Sequence, residues 1–127
     1  MNKLYETDFY KWTEDQSTLL KKGYFSRLDI ENLIEEVDAL GKSQRNKLES
    51  HLIIWLMHEL KIMYQPDKMT KSWELSINNA KHQFFKCLEK NPSLKPQLLD
   101  ILNDAYPSAR WRALDETKLC DDDIPEE

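Results

Sequence analysis

At 127 residues the chain is long enough for one domain whose core needs no disulfide or metal to hold it. Two glycines and five prolines supply too little turn chemistry for an all-β fold, and no run of about 18 apolar residues is present to cross a membrane. The net charge of −5 is uneven: residues 1–41 carry five basic and nine acidic side chains, residues 42–90 nine and five, and residues 91–127 four and nine. The basic middle reads either as a surface for an anionic partner or as internal pairing between neighbouring helices. Met1–Glu6 lacks the apolar segment of a signal peptide, and Cys87 and Cys120 have no motif spacing. Reduced thiols in a cytoplasmic protein are the expectation.

The first helix is expected to start near Thr7 or Asp8, either of which can cap free N–H groups. Phe9, Trp12, Leu19 and Leu20 share one face with Gln16 among them. Lys21 and Lys22 suit the negative end of the helix dipole, and Gly23 suits the left-handed closing position. Asp29 caps the second helix. Its expected inner face is Ile30, Leu33, Ile34, Val37 and Leu40, while Glu31, Glu35, Glu36 and Asp38 point away.

Leu52-Ile53-Ile54-Trp55-Leu56-Met57 is the most apolar stretch, and a helix apolar on all sides belongs in the middle of a core. One straight helix over 30–64 would be about 52 Å long, against a diameter of roughly 36 Å for a compact domain of this size. The expected solution is a break at Gly41, with a short helix to Leu40 and a central one from about Ser43 to Tyr64; a continuous, bent helix is the alternative. Leu48, Leu52, Leu56, Leu60 and Met63 form the stripe of the central helix, widened by Ile54 and Met57. Leu56→Ala is expected among the worst single changes, at about 2–5 kcal/mol.

Pro66 closes that helix, and Thr70 or Ser72 opens the next. Trp73, Ile77, Ala80, Phe84 and Leu88 make its core stripe, with Lys71, His82, Lys86 and Lys90 opposite and Cys87 near the inner face. Asn91-Pro92 stops it. Ser93 is expected to cap a last helix carrying Leu94, Leu98, Leu102, Ala105, Ala109 and Ala113, kinked or broken at Pro107. Residues 120–127 read as an acidic C-terminal tail with no core to join. The expected fold is an all-α, single-domain bundle of four to five helices (residues 1–119) around the segment 43–64.

Several blocks occur together: Tyr5-Glu6-Thr7-Asp8-Phe9-Tyr10-Lys11-Trp12, Glu31-Asn32-Leu33-Ile34-Glu35-Glu36, Leu40-Gly41-Lys42-Ser43, Tyr64-Gln65-Pro66, Ser72-Trp73 and Ile124-Pro125-Glu126-Glu127. Their combination resembles the bacterial family known as domain of unknown function twenty-nine, over nearly the whole chain. The resemblance implies an all-helical fold and a bacterial source, and it brings no catalytic residues to carry over. Two departures stand out: Pro107 falls where such proteins continue a helix, and the sequence stops at Glu127 where they usually run on.

The carboxylates Glu31, Glu35, Glu36 and Asp38 read as a solvated face, because a di-metal bundle needs inward carboxylates and a Glu-x-x-His pair that this sequence lacks. His51 and His58 are two turns apart, too far for one metal without help from other helices, and neither a metal nor a cofactor is expected. Arg45 and His51 have the loose spacing of the Arg and His in helical HEPN-type ribonucleases, a cation for phosphate and an acid or base of suitable pKa. Lys68, Lys71, Trp73 and Arg110-Trp111-Arg112 group cations with aromatics, the combination that stacks on bases and neutralises phosphates. Trp73 fits the core stripe and the sequence pI of about 5.3 opposes a dedicated nucleic-acid binder. Trp111 suits a partner surface.

The reading of the sequence is therefore a non-catalytic cytoplasmic interaction or adaptor module. Its contacts would come from Trp111, Arg110, Arg112, Lys68 and Lys71, and its partner would be another protein or a second copy, with no membrane. The alternative is an RNA-binding or RNA-cleaving domain using Arg45 and His51.

Overall fold

The computed structural model describes residues 3–119 and 121–126, which hold five α-helices and no strand. These are α1 (Leu4–Thr7), α2 (Phe9–Lys22), α3 (Ile30–Tyr64), α4 (Lys71–Lys90) and α5 (Leu98–Thr117). Short 3-10 turns at Phe25–Arg27, Pro66–Lys68 and Pro92–Gln97 join the last four, and a further one lies at Asp121–Asp123. The all-α architecture with a long central helix is as expected. Met1, Asn2, Cys120 and Glu127 lie outside the described residues, and with them the expectation for the Cys120 thiol. No described helix is long and apolar enough to cross a membrane.

The chain forms two compact units, Met1–Lys42 and Ser43–Glu127. The expected break at Gly41 does not occur: α3 runs unbroken from Ile30 to Tyr64. The boundary between units falls at Lys42, one residue from the glycine. A lone glycine costs a helix only about 1 kcal/mol, too little to break one held by packing on its far side.

In the first unit, α2 starts at Asp8, whose carboxylate accepts the Lys11 N–H at 3.1 Å, and ends at Gly23 with φ of 76°. Both caps are those expected. Trp12 is buried, and its indole N–H donates to the Asp29 carboxylate at 2.9 Å. Gln16 is buried beside it because its side-chain oxygen accepts the Asp29 N–H at 2.8 Å. The expected inner face of α3 is corrected here: Ile30, Ile34, Val37 and Leu40 are all more than half exposed. Val37 and Leu40 line a groove beside α2 together with Leu33 and Glu36, and the Glu36 carboxylate accepts the Tyr5 hydroxyl at 2.5 Å. Hydrogen bonds to Glu36 and to Asp29, the residue just before α3, join α1 and α2 to this part of the chain.

In the second unit, Leu48 and Leu52 of α3 pack with Phe84 and Leu88 of α4 and with Ile101 and Ala105 of α5. Farther along, Met57 and Leu60 meet Ala109, Ala113 and Leu114, while Ile53 and Leu56 touch both clusters. Ala105, Ala109 and Ala113 are fully enclosed within these clusters. The central placement of 43–64 holds, although not on every side: Ile54 and Met63 are exposed. Thr70 caps α4 by accepting the Trp73 N–H at 3.3 Å.

Three expectations for the C-terminal part change. Ser93 caps nothing; Pro92–Gln97 is a 3-10 turn, from which Leu94 still reaches the core, and α5 begins at Leu98. Of the kink or break expected at Pro107, the break does not occur: Pro107 and Asn103, whose carbonyl loses its intrahelical donor, both lie at the surface where water can serve that carbonyl. The acidic segment does find a core: Ile124 is 1% exposed among Met57, Leu60, Ala109, Ala113 and Leu114. The Arg110 Nε–H donates to the Ile124 carbonyl at 3.0 Å, and the Tyr106 hydroxyl to the Pro125 carbonyl at 2.7 Å.

Candidate functional site

With one face of α5 committed to the core through every fourth residue (Ile101, Ala105, Ala109, Ala113), the opposite face carries its own rows at the same spacing. One outward row is Leu99, Asn103, Pro107 and Trp111, all exposed, with Leu99 at 68% and Trp111 at 67%. Beside it runs Asp100, Asp104, Ser108 and Arg112, acidic at its start and basic at its end. Pro107, Ser108, Trp111 and Arg112 line a shallow hollow of about 400 Å³. On the other flank a second hollow, of about 550 Å³, is lined by Leu102, Asn103, Tyr106, Pro107 and Glu126. Proline, tyrosine and tryptophan around open hollows are the side chains that supply large contact area at little entropic cost.

The structure thus brings Trp111 and Arg112 together on one surface. It separates Arg110 from them, since that side chain is half-buried and its Nε–H is held by the Ile124 carbonyl. Lys68 and Lys71 are exposed but stand on a different element, the turn and first residue before and in α4.

Arg45 and His51 lie on α3, where a six-residue separation points two side chains about 120° apart. The Arg45 guanidinium is occupied by Asp104 at 2.9 Å and Glu49 at 3.5 Å, and the Asp104 hydrogen bond holds its pKa above the ordinary arginine value. In this arrangement Arg45 ties α3 to α5.

Sequence reasoning passed over a polar group in the second unit. Lys61 is buried, with its ammonium 4.4 Å from the centre of the Trp73 ring and 3.5 Å from the Glu116 carboxylate. Among the described residues, the Nδ1 of the neighbouring buried His58 has no hydrogen-bond partner. Desolvation, and then the Lys61 charge, lower the His58 pKa. The clue available in the sequence was Trp73, whose ring face can take a lysine stem and head group. In the first unit, α2 and α3 leave a groove of about 410 Å³ between Phe9, Trp12 and Leu20 on one side and Leu33, Val37 and Leu40 on the other. Among the described residues no three His, Cys, Asp or Glu side chains gather as metal ligands would.

The described residues make this an all-α protein whose most distinctive surface is an aromatic, proline-centred helix face. The chain belongs to the family described as domain of unknown function DUF29, whose family model matches residues 4–127. The blocks from Tyr5 to the Ile124-Pro125 segment therefore carry a true membership. No curated protein and no solved structure matches the chain.

Proposed function

We propose that this protein is a non-catalytic bacterial interaction module of the cytoplasm, and that the outer face of α5 is its contact surface. The observation that carries the reading is the exposure of Trp111 in line with Leu99 and Pro107 and beside an open hollow. A large aromatic side chain held at the surface of a helix whose other face is already packed gains area only when a partner covers it. The cytoplasmic assignment draws on Cys87, a free thiol packed against the core with its Sγ 3.7 Å from the Gln44 carbonyl.

The test is affinity capture from a bacterial lysate with and without nuclease, using the wild type and Trp111→Ala. The expected result is a protein captured despite nuclease and lost with Trp111→Ala. Co-purifying RNA that is released by salt and indifferent to Trp111→Ala would overturn the reading and turn attention to Arg45 and His51.

A further inference from the structure

Resting on that reading of α5 as a contact face, we infer that its occupant is a second copy of the same helix, packed antiparallel about a two-fold axis near residues 105 and 106. The two outward rows of α5 are complementary to themselves. When two identical helices pack antiparallel about a two-fold axis between them, position i faces positions whose numbers sum with it to a constant, and each flanking row meets its own copy. A sum of about 210 to 212 sets Leu99 against Trp111 of the second copy, Asn103 against Pro107, and Asp100 against Arg112.

Each of these matches is favourable in its own terms. Leu99, exposed on the first turn of α5, becomes a knob for the hollow lined by Pro107, Ser108, Trp111 and Arg112. Asp100 arrives at the same hollow opposite Arg112, and the symmetry makes both contacts twice. Asp104 stays with Arg45 of its own chain at 2.9 Å and meets only Ser108 of the copy, so no like charges are brought together along this row. A heterologous partner explains the hydrophobic row, but it does not account for an acid-to-base order that is complementary to itself.

The contact is one helix wide, at the low end of the areas that specific interfaces bury, so a concentration-dependent dimer is expected rather than an obligate one. Sedimentation velocity on the purified full chain across micromolar concentrations tests this, with circular dichroism confirming that each variant keeps its helices. All substituted positions are exposed. The wild type should show a monomer–dimer equilibrium, which Trp111→Ala weakens by about tenfold or more. Asp100→Lys and Arg112→Glu should each weaken it, and the double variant should recover most of the wild-type association, because the swapped charges again oppose across the axis.

A wild type that stays monomeric, or a dimer unaffected by Trp111→Ala, overturns the self-pairing. So does a double variant no better than either single one. Failure here leaves the wider reading to be decided separately: a monomer whose lysate partner is still lost with Trp111→Ala keeps α5 as a contact face for a different protein.

Discussion

Arg110 donates its Nε–H to the Ile124 carbonyl at 3.0 Å, which turns an acidic chain segment into part of the hydrophobic core. Removing the Ile124 side chain opens a cavity between α3 and α5. Ile124→Ala is therefore expected to cost about 2 kcal/mol or more. Urea denaturation of the variant measures this, and a change below about 0.5 kcal/mol would show that the segment only rests on the surface.

Ala105, Ala109 and Ala113 of α5 are fully enclosed. Ala109→Leu inserts bulk where no room exists and should destabilise by roughly 1–3 kcal/mol, whereas Trp111→Ala, two residues on, should stay within about 0.5 kcal/mol of wild type. Equal losses in thermal or chemical melts of the two variants would contradict the division of α5 into a packed and an open face.

Leu48 is fully enclosed, while Leu56 is half-buried between the two clusters. Leu48→Ala should accordingly be the worse of the two, in the upper part of the roughly 2–5 kcal/mol range for such truncations, with Leu56→Ala near its foot. This revises the expectation drawn from the apolar run, and a pair of denaturant curves with the reverse order would refute it.

His58 is held neutral by burial and by the charge of Lys61, so its pKa in the folded chain is below that of the unfolded chain. Unfolding then takes up a proton at mildly acid pH. The stability this group provides is fully present above about pH 6.5 and is lost as pH falls through its lowered folded value. Melting curves between pH 7 and pH 5 should show falling stability, with a shallower fall in His58→Gln. Identical slopes for the two proteins would remove His58 from the account.

Tyr5 behaves in the opposite sense. Its hydrogen bond to Glu36 raises its pKa to about 12, and the stabilisation this represents is present below about pH 10 and lost as pH rises from there. Ultraviolet titration of the phenolate should find one tyrosine ionising unusually late, and Glu36→Gln should bring it back toward the others. A titration unchanged by Glu36→Gln would mean that the bond is not formed in solution.

What could be read from the sequence was what a single helix carries within itself. Asp8, Gly23 and Thr70 announce helix ends through local backbone chemistry, and the stripes of α4 and of residues 43–64 follow from a period that packing on both sides preserves. Features that depend on a second element were not legible. Ile34 and Val37 look like an inner face by spacing, yet both stay more than half exposed, and Trp12, Gln16 and Tyr5 reach this part of the chain through hydrogen bonds to Asp29 and Glu36. Ile124 is a lone apolar residue among carboxylates, and only the gap left by Ala109 and Ala113 gives it a place. Of the proposed contact residues, Trp111 and Arg112 share a hollow, whereas Arg110 is spent on the tail, a distinction that neighbouring positions in a sequence do not reveal.

The most direct test of α5 as a contact face is a photo-crosslinking amino acid placed at position 111 in growing cells, with position 90, the exposed end of α4, as the control. A discrete product is expected from position 111 and none from position 90, at twice the chain mass of 15.2 kDa if the second copy is the occupant. No product at position 111, or the same products from both positions, would contradict it.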